Sequence, residues 1–128
     1  MGKAIGEDFI KSTKELEELL LKDLPLDELR PAIKDLKEKY IKIFVAYGKQ
    51  KEKLDAAERV KCDQVLWDVF TGADPKRLDV INSKASPIGQ EDWDLYQIIA
   101  SMNIITQYSD FELLKKQSPE EAERLGIK

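Results

Sequence analysis

At 128 residues the chain has the size of one domain and can bury a core without disulfides or metals. A net charge of −4 and a pI near 5.0 exclude a wholesale electrostatic grip on nucleic acid, and no run approaches the ~18 apolar residues of a membrane span. The lack of histidine and the single Cys62 remove most catalytic and metal-binding designs together.

Charged residues make up 36% of the chain, against about a quarter in an average domain. Lysine supplies 17 of the 21 basic residues and only two asparagines occur, Asn82 and Asn103, a balance that fits a heat-adapted source. A lone cysteine allows no internal disulfide and fits a reducing cytoplasm. The opening residues have no apolar signal core, and no Ser or Thr stands at position six for myristoylation. The expectation is a cytoplasmic, single helical domain over residues 1–128, with residues 1–6 disordered.

No repeat or low-complexity tract occurs, and β-branched residues nowhere alternate with polar ones over a useful length. A first helix is expected over residues 7–22, with Phe9, Leu16, Leu19 and Leu20 at helical spacing. Ser12-Thr13-Lys14-Glu15 matches a capping box, in which a hydroxyl and a carboxylate satisfy end amides reciprocally, so regular helix could begin as late as Thr13. Leu24-Pro25 ends it, because proline disfavours helical geometry in the residue before it.

A second helix follows Asp27 as N-cap, with Pro31 tolerated in its first turn. Its stripe, Ile33, Leu36, Tyr40, Ile43 and Tyr47, alternates steps of three and four, and Phe44 widens it. Gly48 then opens the polar run Lys49-Gln50-Lys51-Glu52-Lys53, and Asp55-Ala56-Ala57-Glu58 is a further capping box ahead of a third helix to about Phe70. Cys62, Val65, Leu66 and Val69 form its inner face, and Gly72 is a natural terminator. A continuous helix over 31–70 is the alternative. It would be about 60 Å long and would need a partner. The break at Gly48 is preferred, since glycine costs ~1 kcal/mol relative to alanine inside a helix and the stripe is empty over 50–53.

Asp74-Pro75 reads as cap and first turn of a short helix to Ser83, followed by a loop over 84–89. A helix over about 90–108 carries Trp93, Tyr96, Ile98, Ile99, Met102, Ile104 and Ile105, apolar around much of its girth, and should be central or partner-covered. Capping boxes at Ser109-Asp110-Phe111-Glu112 and Ser118-Pro119-Glu120-Glu121 begin two short helices ending near Gln117 and Leu125, with Gly126 closing the last. The fold class is all-α, a compact multi-helix bundle of five or more helices.

Without histidine there is no Ser-His-Asp or Cys-His machinery and no His-containing zinc motif, and neither a P-loop nor a dinucleotide fingerprint occurs. Cys62, on an apolar helical face, reads as a buried structural thiol. Carboxylate-bound magnesium chemistry on nucleotide phosphates stays open, with Glu15-x-x-Glu18 and Glu52-x-x-Asp55 as paired acids. These pairs stand 33 residues apart across a whole helix, and a Glu/Lys-rich chain generates them by chance.

Between Lys34 and Lys53 seven lysines meet three acids, a local surplus of positive charge in which Lys42, Lys49 and Lys53 would share one side of a continuous helix. They are the candidate phosphate-contacting residues, although no arginine joins them for bidentate contacts. Trp67 lies opposite Val65 and Val69, so it either packs on a further helix or anchors a partner. Trp93 carries the same two options. The expected function is protein–protein contact, as an adaptor, small subunit or self-associating scaffold, with Tyr40, Tyr47, Trp67 and Trp93 as candidate interface and no catalytic, cofactor-binding or metal-binding residues. An accessory nucleic-acid-binding subunit is the alternative, and a magnesium-dependent nucleotide phosphohydrolase the third reading.

Overall fold

The computed structural model describes residues 2–71 and 75–127. They form α1 (Gly2–Leu21), α2 (Leu26–Lys51), α3 (Ala56–Thr71), α4 (Pro75–Glu91), α5 (Trp93–Ser101), a 3-10 segment (Met102–Ser109), α6 (Phe111–Gln117) and α7 (Pro119–Arg124). No strand occurs among the described residues, as the periodicity predicts.

α1 and α2 are antiparallel, with Asp8 against Tyr47 and Glu15 against Lys39. The chain reverses at Asp23, whose φ of 52° lies in the left-handed region that Asp enters more readily than most side chains. α3 and α4 then follow α1 in the same direction: Gly6 meets Val69, Glu17 pairs with Arg77 at 3.7 Å, and Asp23 with Lys84 at 3.1 Å. α5 and the 3-10 segment return along α2, from the Arg30–Asp92 ion pair to the seat of Phe111 on Gly48. Ile33, Ile41, Phe44, Leu95, Ile99 and Ile105 are among the fully buried side chains of the one core.

Several boundaries fall where the sequence did not place them. Residues 2–6, expected to be disordered, form the start of α1, because Gly2, Ile5 and Gly6 are buried there. The Ser12-Thr13 capping box is not used as a cap. Ser12 Oγ donates to the Phe9 carbonyl at 2.6 Å and Thr13 Oγ1 to that of Ile10 at 2.8 Å, the back-bonding of hydroxyls inside a continuing helix. α2 begins one residue before Asp27, with Pro25 as N-cap, so Pro31 lies past the first turn.

α2 also passes through Gly48 and ends at Lys51. Gly48 is a packing residue: a Cβ there would collide with the Phe111 ring, reaching 2.7 Å from Cζ. The break comes four residues later. The Arg59 side chain donates to the carbonyls of Lys51 (3.2 Å) and Glu52 (3.0 Å), satisfying acceptors that a helix end leaves open. Asp55 Oδ1 accepts from the Glu58 amide at 2.8 Å, and Glu58 Oε1 from the Asp55 amide at 3.5 Å, so this capping box forms as expected.

The expected loop over 84–89 is helical, and α4 runs through Pro87 to Glu91. The turn lies instead at Asp92, whose Oδ1 accepts from the Leu95 amide at 3.1 Å. The apolar stretch that follows is central, with Leu95, Ile99, Met102, Ile105 and Tyr108 buried, but it changes to 3-10 geometry at Met102 and kinks at Ile104. Asp110, not Ser109, caps α6 through the Leu113 amide at 3.2 Å. Ser118 precedes α7 without a side-chain cap bond, and Gly126, at φ 73°, follows that helix. Gly72 and Asp74, expected to end one helix and cap the next, lie outside the described residues.

Candidate functional site

The four candidate interface aromatics separate into two kinds. Tyr40 is buried, its ring 6.3 Å from that of Phe44, and its hydroxyl is held above its ordinary pKa by burial and then by Glu15. Tyr47 is half-buried, and its hydroxyl donates to Asp8 Oδ2 at 2.5 Å. Burial first, and Asp8 second, push that phenol up to about 12. Both tyrosines are thus committed to the α1–α2 seam, because the stripe they belong to is the inner face of α2.

Trp67 and Trp93 are the exposed pair, at 66% and 59%. Trp93 stacks on Tyr96, ring centroids 5.1 Å apart, and Tyr96 in turn lies against Gly89. One face of Trp93 therefore already has an intramolecular partner. Trp67 has no aromatic contact among the described residues and leaves two thirds of its surface open.

α3 explains why. Its inner side meets α1 through close approaches to glycine: a Cβ on Gly6 would sit 2.7 Å from Val69 Cγ1, and one on Gly2 would strike the Cys62 carbonyl oxygen. Cys62 is buried, and desolvation pushes its thiol up, the behaviour of a structural rather than a reactive cysteine. The other side of α3 carries Ala57, Val60, Gln64, Trp67 and Thr71, all exposed. At roughly 100° per residue they lie within about 40° of one line. This strip is uncharged, and Val60 within it is 55% exposed. Sequence reasoning had the signal, steps of three, four, three and four, but alanine, glutamine and threonine hide it from a count of apolar residues.

The lysines are also sorted by the fold. Lys51 Nζ is 2.6 Å from Asp63 Oδ1, Lys39 Nζ is 3.1 Å from Glu15 Oε1, and Lys37 is half-buried near Glu121 and Glu38. Lys42, Lys49 and Lys53 are exposed, without an ion pair among the described residues. Lys42 and Lys49 share a side of α2, whereas Lys53 lies past its end. The α2 helix stops short of it, so the three do not form the single row expected of a continuous helix.

One acid of each pair is engaged elsewhere, Glu15 with Lys39 and Asp55 in the α3 cap, and no three acid or thiol groups converge as a metal site among the described residues. A depression of about 130 Å3 between Gly48, Arg59, Asp63 and Phe111 is lined by Asp63, paired with Lys51, and by Arg59, bound to helix-end carbonyls. No protein family matches this chain, and no curated protein or solved structure matches it significantly.

Proposed function

We propose that the protein acts by protein–protein contact through the outer face of α3, with Trp67 as the anchor, as an adaptor, small subunit or self-associating scaffold without catalytic activity of its own. The observation that carries this reading is a tryptophan 66% exposed within an uncharged strip, on a helix whose opposite side is packed on α1. Tryptophan is the residue type whose burial most often dominates an interface, because its large ring transfers to a partner pocket at little rotamer cost. A reducing cytoplasm suits the buried free thiol of Cys62. The test is a photo-crosslinker in place of Gln64 in the source cells, with Trp67→Ala as control. Crosslinked products that disappear with Trp67→Ala support the face; products that do not depend on Trp67, or none at all, reject it.

A second reading keeps Lys42 and Lys49, exposed on one side of α2, as phosphate contacts for nucleic acid. It requires a mobility shift that weakens steeply with salt and with Lys42→Glu. No shift at low salt removes it.

A further inference from the structure

We infer that the outer face of α3 is occupied by α3 of a second copy of this chain, paired antiparallel about a twofold axis near Gln64. The inference rests on the reading of this face as an interface and names its partner. It starts from the order of residues along the strip: Ala57 and Thr71 each stand seven residues from Gln64, with Val60 four before it and Trp67 three after, so reversal about Gln64 nearly superposes the pattern on itself. Reversal of a second copy places small Ala57 and Thr71 against each other and the bulky indole of Trp67 over Val60. Such alternation of large and small lets two helix faces interdigitate at 8–10 Å, a typical interaxial distance. At the axis the two Gln64 amides meet, and each carries both donors and an acceptor, so the pair can be mutually satisfied.

The flanking charges agree with this direction. Lys61 and Asp68 border the strip on the same side, both are exposed, and neither has an ion-pair partner among the described residues. In a twofold pair like sides meet. Lys61 of one copy then lies about one residue, roughly 1.5 Å along the axis, from the level of Asp68 of the other, and the symmetry makes this contact twice. On the opposite border the two Asp63 carboxylates approach each other, but each is held 2.6 Å from its own Lys51 Nζ, with Arg59 bound to the neighbouring carbonyls. A parallel pairing would instead set Trp67 on Trp67, large against large, and would bring Lys61 towards Asp63 of the other copy, a carboxylate already held by its own Lys51.

The strip is one helix of 16 residues, about 24 Å long. It is small beside a standard interface of ~800 Å2 per partner, so the expected dimer dissociates in the micromolar range. Sedimentation velocity of the full chain, from low micromolar to near-millimolar concentration, should show a reversible monomer–dimer equilibrium. Trp67→Ala should weaken it roughly tenfold or more, with unchanged helix content by circular dichroism. Lys61→Asp and Asp68→Lys should each weaken self-association, and an equimolar mixture of the two should form a heterodimer, since each new charge then faces its opposite. A wild-type chain monomeric throughout overturns the pairing. So does a dimer indifferent to Trp67→Ala, or a mixture that does not recover. If the chain is monomeric but the Gln64 crosslinker captures a different protein in a Trp67-dependent way, the second copy is ruled out and the interface reading stands.

Discussion

Tyr47 donates its hydroxyl to Asp8 Oδ2 at 2.5 Å, and this bond fixes the register of the antiparallel α1–α2 pair at the end remote from the Asp23 turn. A phenol and a carboxylate thirty-nine positions apart meet because α1 and α2 run antiparallel and α1 is already helical ahead of the Ser12-Thr13 signal. Removal of the hydroxyl in Tyr47→Phe leaves Asp8 with one acceptor site unfilled. The expected cost is about 1.5–3 kcal/mol, the range for a hydrogen bond to a charged group, read as a lower urea midpoint with unchanged slope.

The same bond makes the protein sensitive to alkali. The Tyr47 pKa is raised to about 12, by burial first and then by Asp8, so the folded state favours the neutral phenol. Its contribution is fully present below the unfolded value of about 10 and is lost as pH rises through about 12. Tyr40 and Tyr108 shift in the same direction, from burial and then from Glu15 and Glu121 respectively. Stability should therefore fall above about pH 10, and Tyr47→Phe should flatten part of that fall in urea titrations across the range. An unchanged slope would show that Tyr47 ionises alike in both states.

Gly48→Ala tests whether this glycine ends a helix or admits a ring. In an exposed helix interior the change gains ~1 kcal/mol of propensity. Here the new methyl meets Phe111, 2.7 Å from Cζ, so overpacking should dominate and the variant should lose about 1–3 kcal/mol. Phe111→Leu in the same chain should recover part of the loss. A stabilised Gly48→Ala would mean that α6 can move aside freely.

Trp67→Ala and Phe44→Ala should behave oppositely. Phe44 is fully buried, and its truncation should cost about 3–5 kcal/mol in thermal or urea unfolding. Trp67 is exposed, so at concentrations where the chain is monomeric its truncation should stay within about 0.5 kcal/mol. Equal losses would place Trp67 in the core.

Gly6→Ala addresses the attachment of α3. A Cβ there sits 2.7 Å from Val69 Cγ1, and α1 is the principal surface on which α3 packs. The variant should expose α3 amides to hydrogen exchange while α2 and α5 keep their protection. Uniform loss across the chain would instead show that α3 unfolds only with the whole domain.

The amino-acid sequence by itself determined the helical class, the inward stripe of α2, the buried thiol at Cys62 and the cap at Asp55. Each of these depends on residues within a turn or two of one another, where spacing and side-chain hydrogen bonds act directly. Tertiary packing decided where helices end and which aromatics face outward. Gly48 lies inside a helix because Phe111 needs the space, and the opening residues are ordered because glycines at 2 and 6 let α3 approach. Tyr40 is buried and Tyr47 half-buried because α1 covers the stripe of α2 they belong to, whereas Trp67 is exposed because α1 covers only the Cys62 side of α3. The spacing along α3 says which side carries the thiol, but whether a further helix covers the other side depends on contacts far apart in the chain, which local spacing does not encode.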